Sequence, residues 1–81
     1  MATTYNNLYL DTRKRLKAAG VEMAQLEARE LVCFAADKTR EQFFRDLPLY
    51  ASDEVERRVE AVSYTHLKKI RMARAELKQY G

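Results

Sequence analysis

Between Pro48 and Gly81 the chain contains neither glycine nor proline, and across all 81 residues it has only two glycines and one proline. Average usage is roughly 7% glycine and 5% proline. Tight hairpins draw on these residues for positive φ and preset turns. A chain this poor in them cannot make the many turns of a β-sandwich or barrel. It is predicted to be all-α: a small bundle of four helices, one of them short, ending in a long C-terminal helix.

Eighty-one residues suit one small domain, or a piece of something larger. Apolar residues are 47% of the chain and charged residues 33%, an ordinary balance for a soluble protein. Folds that bind dinucleotides or S-adenosylmethionine are built from βα units of about thirty residues each. Here strand-like alternation never outlasts a few residues and no glycine-rich phosphate loop occurs. The chain by itself therefore reads as a non-enzyme. It has no run of eighteen apolar residues, which argues against a membrane partner. Met1 to Asn7 lacks the charged-then-apolar pattern of a signal peptide, and the single Cys33 cannot pair within the chain. The expected setting is cytoplasmic.

The first helix is predicted from about Thr4 to Ala19. Tyr5, Leu8, Tyr9, Thr12, Leu16 and Ala19 form one stripe at spacings of three and four. Gly20 offers the left-handed position that ends a helix at little cost. A second helix is predicted from near Glu22 to about Asp37, its Ala24, Ala28, Ala35 and Ala36 permitting close packing. Thr39-Arg40-Glu41-Gln42 is a capping-box pattern opening a short helix with Phe43 and Phe44. Pro48 should stop it, push Leu47 into an extended conformation, and leave Leu47, Leu49 and Tyr50 as a loop over the core. Ser52-Asp53-Glu54 is a further helix start. Val55, Val59, Val62, His66, Ile70, Ala73 and Leu77 then share one face of a helix of up to about 28 residues, roughly 42 Å long. That exceeds what a bundle of this size can cover.

Residues that could carry chemistry have ordinary structural readings. Cys33 lies within Leu31-Val32-Cys33-Phe34-Ala35 and is expected to be a buried core thiol. His66, the sole histidine, falls on the apolar stripe of the last helix as a packed or interfacial residue without metal-ligand spacing. The carboxylates Glu27, Glu30, Asp53, Glu54 and Glu56 belong to solvated faces and helix starts. No residue is assigned a catalytic, cofactor-binding or metal-binding role, and the partner-binding residues are unknown.

Charge is uneven along the chain. Residues 1–67 carry ten Lys/Arg against eleven Asp/Glu, while 68–81 carry Lys68, Lys69, Arg71, Arg74 and Lys78 against Glu76 alone. Any electrostatic case for nucleic acid rests on that tail. A small nucleic-acid-binding helical protein is the alternative reading, against a solvated helix end whose cations suit the dipole.

Leu16, the run Glu27-Ala28-Arg29-Glu30-Leu31-Val32, the run Thr39-Arg40-Glu41-Gln42-Phe43 and the acidic helix start at Ser52 occur in an order that resembles a known family. It is the N-terminal domain of the bacterial release-factor glutamine methyltransferases. In that family a small helical domain precedes a catalytic domain that transfers a methyl group from S-adenosylmethionine to the glutamine of a Gly-Gly-Gln motif. The resemblance covers residues 4–61. It implies a docking role toward a peptide-chain release factor, with no cofactor in this chain. The family's glycine-rich cofactor loop and Asn-Pro-Pro-Tyr motif do not occur in these residues, so no catalytic residue is carried over.

The resemblance divides the chain into a docking-type domain, 1–61, and a helical basic extension, 62–81. The hexapeptide Val62-Ser63-Tyr64-Thr65-His66-Leu67 looks like one reading frame of a transposase adaptor used to prepare sequencing libraries. It marks 62–81 as a candidate chimeric or non-native continuation. The same tail in a parent gene resequenced by another library method would end that expectation.

Overall fold

The computed structural model describes residues 3–80, and the side chains of 3–73. It is all-α in character, with a two-residue ladder as its only β-structure among the described residues. The order is β1 (Thr3–Thr4), α1 (Tyr5–Ala18), α2 (Ala24–Ala36), α3 (Arg40–Asp46), β2 (Tyr50–Ala51) and α4 (Asp53–Tyr80).

Helix α1 begins where Thr4 Oγ1 accepts the backbone N–H of Asn7 at 3.2 Å. It ends in a Schellman turn: Gly20 takes φ 83°, its N–H reaches Lys17 O at 3.0 Å, and the Val21 N–H reaches Leu16 O at 3.1 Å. Helix α2 starts two residues later than the spacing predicts and closes on Asp37 at φ 54°, a left-handed position that aspartate tolerates better than most residues. The capping box of α3 is present in both directions. Thr39 Oγ1 accepts from Gln42 N at 3.2 Å, and Gln42 Oε1 accepts from Thr39 N at 3.0 Å. Helix α4 begins on the Ser52 hydroxyl, which accepts from Val55 N at 3.2 Å.

Two expectations for the α3–α4 connection are corrected. Leu47 is helical (φ −49°, ψ −43°), not extended. A turn from Leu49 N–H to Asp46 O, 2.9 Å, follows it, and its own carbonyl accepts the Asn6 N–H at 3.0 Å. These bonds outweigh the pre-proline preference, which is steric and modest. Nor does the whole segment cover the core: Leu47 and Ala51 pack inward, while Leu49 and Tyr50 are exposed. The backbone does the covering. Leu49 O accepts the Tyr5 N–H at 3.0 Å, and β2 pairs antiparallel with β1, Thr3 opposite Ala51 and Thr4 opposite Tyr50. Two N–H groups at the start of α1, which an isolated helix leaves unpaired, thereby find partners.

The core has two parts. Tyr5, Leu8, Val32, Ala35, Phe43, Ala51 and Val59 form the larger cluster, and Leu16, Ala24 and Ala28 the smaller. The alanines let α1 and α2 approach closely, with Leu16 and Ala28 fully buried. Helix α4 lays Val59 and Ser63 into the bundle, with Val55, Val62, His66, Leu67 and Ile70 half-buried. From Arg71 to Ala73 the side chains are exposed, so the helix leaves the bundle, and the molecule measures 45 × 21 × 19 Å.

A buried ionic cluster anchors α3. Asp46 is 5% exposed and accepts from Lys38 Nζ at 2.7 Å and from Arg45 Nε at 2.9 Å. Lys38 Nζ also lies 4.9 Å from the centre of the Tyr5 ring. The hydrogen bonds from Arg45, then those from Lys38, hold the Asp46 carboxyl down at about 2 against an ordinary 3.8. Because the folded value is depressed, its stabilisation is complete above the ordinary value and is lost as pH falls toward 2. Denaturant midpoints measured across that interval should fall with pH more steeply for the native chain than for Asp46→Asn.

Candidate functional site

Helix α2 has four buried positions, Ala24, Ala28, Val32 and Ala35. Phe34 sits about 200° around the helix from Val32 at 100° per residue, and it is 76% exposed. Phe43 and Phe44 are adjacent on α3, so only one can face inward: Phe43 does, and Phe44 is half-exposed. Phe34 and Phe44 are exposed aromatics on two neighbouring helices, and Tyr50 and Tyr64 are exposed elsewhere on the surface.

Phe34 and Phe44 lie on opposite edges of α2. On the α3 edge, the Phe44 ring meets the Phe43 ring edge-on at 5.9 Å, and the Arg29 guanidinium lies over its other side at 5.8 Å. Phe44 is thus held by the core residue beneath it and flanked by a cation. On the α4 edge, Phe34 borders an open groove of about 360 Å³ lined by Leu31, Ala61, Val62, Thr65, His66 and Lys69. One end is fixed by His66 Nε2 and Glu27 Oε2, 3.1 Å apart and each about one-third exposed. This pair bridges 39 positions of sequence.

The remaining chemistry-bearing residues lie apart from one another. Cys33 is half-buried, less than the sequence suggests, and packs against the larger core cluster. Burial pushes its thiol pKa up, only partly opposed by Arg29 and Arg40, which is the reverse of what a nucleophile needs. Glu54 is paired with Arg58 at 2.6 Å along α4. Among the described residues no group of three or more His, Cys, Asp or Glu could hold a metal ion. No described helix is long and apolar enough to cross a membrane. Lys68, Lys69 and Arg71 of the basic tail are exposed, while the side chains of Arg74, Glu76, Leu77 and Lys78 lie outside the described residues.

Sequence reasoning left the contact residues open, naming neither Phe34 nor Phe44 as exposed. A signal was present in the alanine stripe, which fixes the buried face of α2 and places Phe34 off it. The Glu27–His66 contact had no such signal, because local spacing carries no information across 39 positions.

Comparison with known proteins adds the family. No curated protein and no solved structure gives a match. The family model described as the PrmC N-terminal domain matches residues 7–70, from the first helix into the middle of α4 and past the division at residue 61. The order of caps and helices that resembles a release-factor methyltransferase's N-terminal domain thus has independent support, and the chain belongs to the PrmC N-terminal domain family.

Proposed function

We propose that this domain docks a peptide-chain release factor for an S-adenosylmethionine-dependent glutamine methyltransferase, presenting the α2–α3 edge around Phe44 and Arg29. The observation that carries the reading is the family match over residues 7–70. The surface supports it: aromatic residues and arginine are enriched where binding energy concentrates, and the Phe44 ring packs edge-on against Phe43. In this reading the chain contributes recognition, methyl transfer and cofactor binding belong to a separate catalytic domain, and the setting is cytoplasmic. Residues 1–61 remain the docking unit, with 62–81 a basic extension that does not take part.

Titrating the chain with release factor in a fluorescence-anisotropy assay tests this. Docking through an apolar aromatic edge predicts an affinity for release factor that changes little between about 50 and 200 mM salt, whereas the nucleic-acid reading predicts binding to a labelled oligonucleotide that loses orders of magnitude over that range. Phe44→Ala should weaken binding roughly tenfold or more. Undiminished binding by that variant would remove the α2–α3 edge from the account. Binding to the oligonucleotide with that steep salt dependence, and none to release factor, would favour the nucleic-acid reading, to which the exposed Lys68, Lys69 and Arg71 lend themselves.

A further inference from the structure

We propose that the end of the bundle carrying the α1–α2 turn binds single-stranded nucleic acid, with phosphates on Lys14, Arg15 and Lys17 of α1 and on Lys68 and Arg71 of α4, and a base stacked on Tyr64. The fold brings these residues to one end although they come from the first helix and the last. Leu8 and Val59 border one recess between α1 and α4, and eight residues further along each helix Leu67 packs on the cluster that contains Leu16. The two helices therefore run in the same direction and in step. Lys68 and Arg71 follow Leu67 at the level of Lys17 and the turn at Gly20.

All six side chains are exposed, Tyr64 by 71%. Spacings of four and three put Tyr64, Lys68 and Arg71 on one face of α4, and Arg15 borders the recess on the α4 side of α1. Among the described residues none of the five cations is in an ion pair, whereas toward the other end Lys38 and Arg45 meet Asp46, and Arg58 meets Glu54. Summed along the sequence, carboxylates cancel the α1 cations. In the fold, the carboxylates from Asp37 to Glu60 lie on the end of α2, on α3 and on the start of α4, toward the opposite end. Asp11, Glu56 and Glu60 border the recess about a turn or more before Arg15 and Tyr64, and Glu22 follows Gly20 on the α2 side.

Unpaired cations around an exposed ring are what single-strand binding uses: the cations hold the backbone and the ring stacks a base of any identity. Three of the five cations are lysines, a residue depleted at protein–protein interfaces, which favours phosphates over an acidic protein. A duplex keeps its base faces within its own stack and leaves Tyr64 idle. The proposal does not rest on release-factor docking, since it uses neither Phe44 nor Arg29.

Fluorescence anisotropy of labelled oligothymidine and oligouridine, each of about twelve nucleotides, with the full chain tests the proposal. With four or five phosphate contacts, affinity should fall about 50- to 100-fold between about 50 and 200 mM salt, each contact adding about 0.7 to the slope of log affinity on log salt. Lys14→Gln with Arg15→Gln should lower that slope by about 1.4, and Lys68→Gln with Arg71→Gln by a similar amount. Tyr64→Ala should weaken binding about tenfold at every salt concentration and leave the slope unchanged. These side chains are exposed, so the circular dichroism spectrum of each variant should match the native chain, and Phe44→Ala should bind the oligonucleotides normally. No binding at about 50 mM salt overturns the proposal. So does a slope that only the α4 pair lowers, binding indifferent to Tyr64→Ala, tighter binding of a duplex, or polyglutamate that displaces the oligonucleotide at equal charge.

Discussion

Phe43→Ala lowers the stability of the domain by about 3–5 kcal/mol, the usual cost of emptying a buried phenylalanine site. Phe43 is 1% exposed and joins Tyr5, Leu8, Val32, Ala35, Ala51 and Val59 in the larger core cluster. Its ring meets Tyr9 edge-on at 5.9 Å, with an interplanar angle of 69°. Helix α3 has seven residues, too few to hold together in water by its own hydrogen bonds. Phe43 is its main apolar tie to α1, α2 and α4. A chain of this size is expected to be stable by only about 4–12 kcal/mol, so the substitution removes a large share. Urea unfolding followed by circular dichroism reads the effect directly. An unchanged midpoint would place Phe43 outside the core.

Ser63→Ala should have the opposite sign. Ser63 is 2% exposed, and its hydroxyl oxygen has no hydrogen-bond partner. A buried polar group left unpaired costs about 1–3 kcal/mol, and alanine removes the hydroxyl with little loss of volume. A stabilisation of about 1 kcal/mol would raise Tm by roughly 4–8 °C in a domain of this size. A lower Tm for the alanine variant would mean that the hydroxyl does have a partner in solution. Ser63 lies within the Val62–Leu67 hexapeptide, which the family match over residues 7–70 spans.

The contrast between Phe43 and Ser63 shows what local sequence can reveal. Thr39 and Gln42 announce α3 because a capping box is a short-range pattern, and Gly20 announces the end of α1 because few other residues accept its φ. Helix α4 follows from an apolar stripe that nothing interrupts, and its length already exceeded what a bundle of this size can cover. The stripe nevertheless ran through Val62 and His66 and passed over Ser63, because a small polar residue gives no hydrophobic signal even when it is buried. Leu47 was misread because a local steric preference yielded to the bond from Asn6, which is distant in sequence. The β1–β2 ladder went unseen for a related reason: two residues are too few to show alternation.

The functional surface was less legible than the fold. The family could be read from an order of helices and caps, whereas the contact edge depends on which of two adjacent phenylalanines turns inward. That choice is made by Tyr9 and Val32 on other helices. Likewise the groove that Phe34 borders exists only once α4 packs against α2 with Glu27 on His66.

The central claim is that this helical domain recognises a release factor through its α2–α3 edge. An NMR titration of isotope-labelled chain with unlabelled release factor, at low and high salt, tests it most directly. The account predicts shifts localised around Arg29, Cys33 and Phe44 that persist at high salt. No shifts, or shifts confined to residues 68–73 that vanish as salt rises, would contradict it.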